Sequence, residues 1–289
     1  MIFAKKISLA IREKRNSICL GIDPHPTFWP QAFGPLLYPS HEKRVSDWGH
    51  SIIEIAAGKV PAVKFQSAFF EAFGGSQLLK TLIKYAKKND LLVILDGKRG
   101  DIASTMTAYG EAAFAYYCAD ALTIAPYMGF DVLRALKPWL TQGFGAYVLW
   151  LTSNISAKKI QDAPMQSGEP LSNHIFESFL DSSDKEQMHG TWGFVLGANK
   201  INDIPNKIWD KCKTTPLLLP GIGAQGADSN NPRIKEIAHQ DHVLFPMSRS
   251  LTGVGLKDRD SDWNRSANIE LYKKTFLSNL DSMTRMFQF

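Results

Sequence analysis

The sequence is poor in cysteine and contains no long apolar run. Its three cysteines, Cys19, Cys118 and Cys212, lie far apart and form neither a CxxC pair nor a zinc-binding pattern. Scattered cysteines of this kind are typical of reduced thiols in a cytoplasmic protein. No apolar run approaches the roughly 18–20 residues needed to cross a bilayer, and charges interrupt the N-terminal stretch, unlike a secretory signal. We therefore expect a cytoplasmic protein without a membrane partner.

Charge of one sign is not concentrated in any part of the chain. Lys and Arg number 33 against 28 Asp and Glu, which gives a formal net charge of +5. The positive excess suits an anionic small substrate as well as a nucleic acid, so net charge alone does not decide between them. The basic residues are scattered apart from short clusters such as Lys5-Lys6, and none resembles a nucleic-acid-binding arm. We therefore expect no nucleic-acid partner.

Short apolar runs alternate with amphipathic, helix-like stretches along the chain. This alternation is typical of parallel strands that are covered by helices and buried on both faces. The eight apolar runs lie at 17–22, 61–65, 91–95, 121–124, 146–150, 193–196, 216–219 and 242–245. Helices are predicted at 8–14, 41–57, 68–87 and from about residue 266. Eight repeats predict the α/β class and a single (β/α)8 TIM barrel domain over residues 1–289. The polar segments 152–173 and 223–232 are expected to be loops that extend from this barrel.

Opposite charges follow the third apolar run at close spacing. Asp96 and Lys98 are two residues apart, so their side chains point the same way in a strand, and Asp101 follows at the expected start of a helix. Lys64 lies inside the second run, where an unpaired lysine is costly to desolvate. Strands two and three are neighbours in a barrel, so we predict a Lys64–Asp96–Lys98–Asp101 array at its mouth. The alternatives are a structural pair for Lys64 and a surface ion pair with Asp101 as a helix N-cap.

A second group of residues follows the last two apolar runs. Gly221, Gly223 and Gly226 form a glycine-rich loop after the seventh run, and Ser248-Arg249 follows the eighth. Backbone N–H groups of such a loop and an arginine guanidinium form a phosphate site in many barrels. The GxGxxG spacing of these glycines is weak evidence for a dinucleotide-binding site. Such a site normally has the motif after the first strand, within a βαβ unit that is followed by an acidic residue, and neither condition is met here. The pair of loops therefore predicts a phosphate site.

The motif Asp96-Gly-Lys98-Arg-Gly-Asp101-Ile102-x-x-Thr105 resembles the DxKxxDIxxT signature of orotidine 5′-phosphate decarboxylases. The resemblance covers nearly the whole chain, and the longer loops are similar to those of the bacterial type 2 branch. It includes the segments 20–24, 63–71, 119–127, 152–154, 219–226 and 248–249. The chain departs from many of these relatives at Ile155-Ser156, where they have Pro-Gly, and at Ala125, where Asn is frequent. The resemblance implies conversion of orotidine 5′-phosphate to UMP and CO2, the last step of de novo pyrimidine biosynthesis, without cofactor or metal.

The resemblance also implies a role for each matched residue. Lys98 stabilises the carbanion that loss of CO2 leaves at C6 and then donates a proton to it, beside Asp96. Lys64 and Asp101 hold the array in register, and Asp101 reaches with Thr105 across a twofold homodimer interface into the neighbouring site. The implied substrate-binding residues are Asp23 and Thr105 at the ribose, Ser153 at the pyrimidine edge, and Gln225, Gly226, Ser248 and Arg249 at the phosphate, with Gln225 bridging phosphate and base.

Two alternative functions remain open. Related sugar-phosphate lyases resemble this chain at the DxKxxD core but carry a glutamate on the second strand that helps to bind Mg²⁺. Lys64 stands at the matching position, and a cation there repels a divalent metal. The other alternative is a non-catalytic UMP-binding barrel, although a protein that only binds UMP does not need Lys98.

Overall fold

Eight parallel strands close into a barrel, because the aliphatic runs pair side by side and bury both of their faces. The computed structural model describes residues 1–25, 30–34, 38–73, 75–222, 228, 230–253 and 265–287. The strands are β1 (Ile18–Ile22), β2 (Ala62–Gln66), β3 (Leu92–Arg99), β4 (Ala121–Ile124), β5 (Gly145–Leu151), β6 (Trp192–Leu196), β7 (Leu217–Leu218) and β8 (Val243–Met247). Each strand pairs in parallel with the next, and β8 pairs with β1. The predicted (β/α)8 TIM barrel is thereby confirmed.

Helices and short helical turns connect the strands and cover the barrel. They are α1 (Phe3–Lys14), α2 (His41–Ala56), α3 (Ser67–Phe73), α4 (Gly75–Lys88), α5 (Ala103–Glu111), α6 (Asp131–Arg134), α7 (Lys137–Leu140), α8 (Lys158–Gln161), α9 (Leu171–Glu186), α10 (Asn206–Cys212), α11 (Pro232–Ala238), α12 (Arg249–Thr252) and α13 (Arg265–Met286). Among the described residues, none of these helices is long and apolar enough to span a membrane.

Three of the predicted elements differ from the structure. The first helix, predicted at 8–14, begins five residues earlier, at Phe3. The single helix predicted at 68–87 is divided into α3 and α4, because Gly75 takes a positive φ of 74° that interrupts a right-handed helix. The third strand, predicted to end at residue 95, continues to Arg99, and its pairing with β4 shifts register between Leu95 and Arg99. This extension contains Asp96 and Lys98, two of the predicted site residues.

The interior of the barrel is apolar at its N-terminal end. Phe3, Ile7 and Ile11 on one face of α1 close this end and pack against inward-facing strand residues such as Tyr147. Gly145 leaves room for this plug, since a Cβ there would lie 2.1 Å from the Phe3 ring. A second, larger apolar cluster fills the space between the strands and the surrounding helices. With one end closed by α1, the interior opens to solvent at the C-terminal ends of the strands.

Candidate active site

A cavity of about 260 Å³ lies at the C-terminal ends of the strands. This end of a TIM barrel is where the βα loops meet and where such barrels carry their active sites. The polar and glycine residues lining the cavity include Asp23, Lys64, Gln66, Asp96, Lys98, Thr123, Thr152, Ser153, Gly221, Ser248, Arg249 and Ser250. Residues from distant parts of the sequence are therefore assembled in one site.

Asp96 lies between two lysines in this cavity. Its Oδ2 accepts a hydrogen bond from Lys64 Nζ at 2.8 Å, and its Oδ1 accepts one from Lys98 Nζ at 2.7 Å. Lys64 Nζ also lies 3.8 Å from Asp23 Oδ1. Lys64 and Asp96 are buried, whereas 44% of the Lys98 side chain is exposed. Lys98 is thus the member of the array most accessible to a ligand.

The neighbouring charges keep both buried members of the array ionised. Burial by itself raises the pKa of Asp96, but Lys64 and Lys98 outweigh it and hold this pKa well below its usual range. Burial likewise lowers the pKa of Lys64, and Asp96 and Asp23 outweigh it, so the pKa ends above its usual value. The raised pKa keeps Lys64 protonated near neutral pH.

Two groups at deeper positions in the barrel interior stay neutral. Burial raises the pKa of the Cys19 thiol to about 12 and raises that of the Tyr147 phenol well above its usual value. Both side chains belong to the same apolar cluster as the α1 plug. No competing negative charge therefore develops on these two groups at neutral pH.

The backbone at Lys98 is unusual. The φ angle of Lys98 is +46°, in the left-handed region that residues other than glycine rarely adopt. Lys98 lies where β3 shifts register against β4. Simple strand alternation predicts that Asp96 and Lys98 share a face, and their ion pair agrees with this. However, the contact is made through a bulged strand end rather than through a regular strand.

Thr123 and Gln66 line the cavity but were not among the residues predicted from the sequence. Thr123 Oγ1 donates to Asp96 Oδ1 at 2.8 Å and accepts from the Lys98 backbone N–H at 2.9 Å. Gln66 ends β2, two residues after Lys64, and so shares its face. The sequence feature that could have identified both residues is a polar side chain at an inward-facing strand position, the same feature that pointed to Lys64.

Asp101 and Thr105 do not join the other array members within the chain. Asp101 Oδ1 accepts a hydrogen bond from the Ile102 N–H at 2.8 Å, and Ile102 rather than Asp101 is the N-cap of α5. Thr105 is exposed on α5. Among the described residues that line the cavity, neither Asp101 nor Thr105 is present. The array within one chain is therefore Asp23, Lys64, Asp96 and Lys98.

The loop after β5 places Ser153 at the cavity and is held by side-chain hydrogen bonds. Gln161 on α8 accepts from the Thr152 backbone N–H at 3.0 Å and donates to Thr152 Oγ1 at 2.9 Å. Asn199 donates to the Ser153 carbonyl at 3.3 Å. Ile155, one of the departures from the relatives, is 95% exposed. The presence of Ile155 where many relatives have Pro therefore leaves Ser153 at the cavity wall.

The predicted phosphate residues fall partly within the described chain. Ser248 and Arg249 lie at the start of α12 and line the cavity together with Gly221. Gly21 on β1 allows this approach, since a Cβ there would lie 2.6 Å from Ser248 Cβ. Gln225 and Gly226 lie outside the described residues. Their predicted contacts with phosphate therefore stay predictions.

Asp23 carries an unsatisfied oxygen in this site. Its Oδ1 is buried and makes no hydrogen bond in the described part of the chain, with Lys64 Nζ 3.8 Å away. A buried acceptor without a donor is costly, so a ligand hydroxyl is a suitable partner for it.

Within the described ranges, no three His, Cys, Asp or Glu side chains form a group that could hold a metal ion.

The barrel and this site together define a class of protein, an α/β barrel with paired lysine and aspartate charges at the C-terminal ends of its strands. The model of the orotidine 5′-phosphate decarboxylase / HUMPS family matches residues 16–255. Orotidine 5′-phosphate decarboxylases from Roseiflexus sp. and Variovorax paradoxus are both 35% identical to the chain. The first match covers 92% of this chain and 93% of the relative, and the second covers 79% and 81%.

Solved structures give the same result. A crystal structure from Streptomyces avermitilis, provisionally described as an orotidine 5′-phosphate decarboxylase, is 29% identical and superposes with a TM-score of 0.75. The match covers 98% of this chain and 96% of that one. The chain belongs to the orotidine 5′-phosphate decarboxylase / HUMPS family.

Proposed function

We propose that this protein is a carbon–carbon lyase that decarboxylates orotidine 5′-phosphate to UMP and CO2, the last step of de novo pyrimidine biosynthesis. The observation that carries the proposal is the Lys64–Asp96–Lys98 array in the cavity, with Lys98 as its most exposed member. Loss of CO2 leaves an electron pair at C6 of the pyrimidine, so the site must supply positive charge and a proton. An array with an accessible ammonium group supplies both.

Each charged residue then has a distinct task. Lys98 stabilises the developing negative charge at C6 and transfers its proton there, after which solvent reprotonates the amine. Asp96, held ionised between two lysines, lies beside the departing carboxylate. Lys64 offsets the charge of Asp96 and stays protonated throughout, in keeping with its raised pKa.

The remaining cavity residues bind the parts of the substrate that do not react. The unsatisfied Oδ1 of Asp23 accepts a hydrogen bond from a ribose hydroxyl. Ser153 contacts the pyrimidine edge, and Ser248 and Arg249 bind the phosphate. Gln225 and Gly226, outside the described residues, retain their predicted role at the phosphate. Binding energy from these groups lowers the barrier when it is expressed in the transition state.

We also propose a homodimer in which Asp101 and Thr105 complete the partner's site. Support comes from their position at and near the start of α5, away from the described cavity of their own chain, and from Ile102 between them, which is 58% exposed. That residues 1–289 form one domain, and that the protein is cytoplasmic, are part of the same proposal.

A spectrophotometric assay with orotidine 5′-phosphate, with and without EDTA, tests the function directly. We expect turnover that EDTA does not diminish, since Lys64 occupies the position where the related lyases carry a metal-binding acid. Activity lost to EDTA and restored by Mg²⁺ would instead favour a metal-dependent sugar-phosphate lyase. Tight UMP binding without turnover would favour a non-catalytic barrel.

A further inference from the structure

Thr123 joins two parts of the charged array without carrying a charge itself. Its Oγ1 donates to Asp96 Oδ1 at 2.8 Å and accepts from the Lys98 backbone N–H at 2.9 Å. A hydroxyl has one proton, and both partners fix its direction, because an ionised carboxylate only accepts and an N–H only donates. The Thr123 side chain is buried, so water does not compete for either hydrogen bond. The hydroxyl is therefore a fixed link between the two residues.

The first of these hydrogen bonds bears on the Asp96 carboxylate. Its Oδ1 is shared by Thr123 Oγ1 and Lys98 Nζ, at 2.8 and 2.7 Å. In the proposed reaction Lys98 directs its ammonium group to C6, and its hydrogen bond to Asp96 weakens as the proton leaves. Thr123 remains on the same oxygen and keeps the carboxylate in place while Lys98 is engaged.

The second hydrogen bond bears on the Lys98 backbone. The left-handed φ of +46° costs about 1–2 kcal/mol in a residue other than glycine and persists only where the surroundings enforce it. The register shift between β3 and β4 occurs at this point, so the regular ladder is interrupted. The Thr123 hydroxyl, on the neighbouring strand, accepts the N–H that this shift brings to it.

From these two contacts we infer that Thr123 is a positioning residue for decarboxylation. Its hydroxyl holds the Asp96 carboxylate and the bulged backbone of Lys98 so that the Lys98 ammonium faces C6. Thr123 acts through Asp96 and Lys98 and forms no bond to the reacting atoms. This inference rests on the proposed function.

Two substitutions separate the hydroxyl from the shape of the side chain. Thr123→Val keeps the branched shape and removes both hydrogen bonds, whereas Thr123→Ser keeps the hydroxyl and removes a methyl group. Thr191→Val is the matched control, because Thr191 is also buried but donates to the Met188 carbonyl, at 2.7 Å, beside the N-terminal end of β6. All variants are compared by kcat, KM, the Kd of UMP, and hydrogen exchange of the Lys98 amide.

We expect Thr123→Val to lower kcat by roughly 10- to 100-fold, the effect of losing a hydrogen bond to a charged group. The Kd of UMP should change by less than about threefold, because the product does not need an aligned proton donor. The Lys98 amide should exchange faster in this variant. Thr123→Ser should restore kcat and amide protection to near wild-type values, and Thr191→Val should leave both unchanged.

Three results would overturn the inference. The first is a kcat of Thr123→Val within about twofold of wild type. The second is a Thr123→Ser enzyme that is as slow as Thr123→Val. The third is a loss of UMP affinity in Thr123→Val as large as its loss in kcat. Failure of the proposed function is distinguishable, since the wild-type enzyme would then not turn over orotidine 5′-phosphate. In that event, unchanged exchange of the Lys98 amide in Thr123→Val would still exclude the link.

Discussion

The two ends of the barrel are built from the same strands but carry opposite kinds of side chain. At the N-terminal end, α1 inserts Phe3, Ile7 and Ile11 against an apolar interior. At the C-terminal end, Lys64 and Asp96 bring buried charge to the cavity. Apolar burial contributes about 25 cal/mol per Å² to folding, whereas a buried ion pair contributes little or nothing net. The comparison indicates that one end stabilises the barrel, and the other holds the charged groups to which we assign the chemistry.

The largest effect on turnover is expected from Lys98→Ala at the charged end. This change removes the residue that we propose as proton donor and as stabilising cation at C6, so kcat should fall roughly a thousandfold or more. UMP should still bind, because the product carries no developing charge at C6. Lys159→Ala, an exposed lysine on α8, is the control and should have wild-type kinetics. A Lys98→Ala enzyme within about tenfold of wild type would contradict the assignment.

Arg249→Ala, also at the charged end, should have the next largest effect. Removing a charged hydrogen-bonding group from the phosphate costs about 2–3 kcal/mol, which raises the KM for orotidine 5′-phosphate roughly 30- to 150-fold. Any weak turnover of the unphosphorylated nucleoside should hardly change. Arg285→Ala on α13, beside a separate cavity with Lys14 and Lys59, should alter neither. Equal losses on both substrates would speak against a phosphate role.

The shared-site proposal predicts a loss of activity that mixing two inactive variants recovers in part. Lys98→Ala and Asp101→Ala subunits should each be inactive alone. Random exchange makes half of the dimers mixed, and each mixed dimer holds one intact site and one doubly damaged site, so about a quarter of wild-type activity should return. Exchange can be verified with differently tagged subunits. If tagged heterodimers form and no activity returns, Asp101 serves its own chain.

The sequence predicted the features that depend on local pattern. Aliphatic runs located all eight strands to within a few residues, and the Asp96–Lys98 spacing placed both residues at one strand end. What the pattern could not supply depends on tertiary contacts. The bulge at Lys98 arises from a register shift against β4. The link through Thr123 was missed because a threonine among aliphatic residues is also typical of an ordinary β-strand.

The smallest effect on turnover is expected at the apolar end, from Phe3→Ala. Phe3 is buried and packs edge-on against Tyr147, with ring centroids 5.7 Å apart. Its removal leaves a cavity beneath the barrel floor and should lower the free energy of unfolding by about 3–5 kcal/mol in urea titrations. The kcat at a temperature where the variant stays folded should remain within about twofold of wild type, because no charged contact is touched. Leu9→Ala, an exposed leucine on the same helix, should change stability by less than about 0.5 kcal/mol. A Phe3→Ala enzyme with wild-type stability, or one that is folded but has lost most of its kcat, would show that the two ends do not divide stability and chemistry between them.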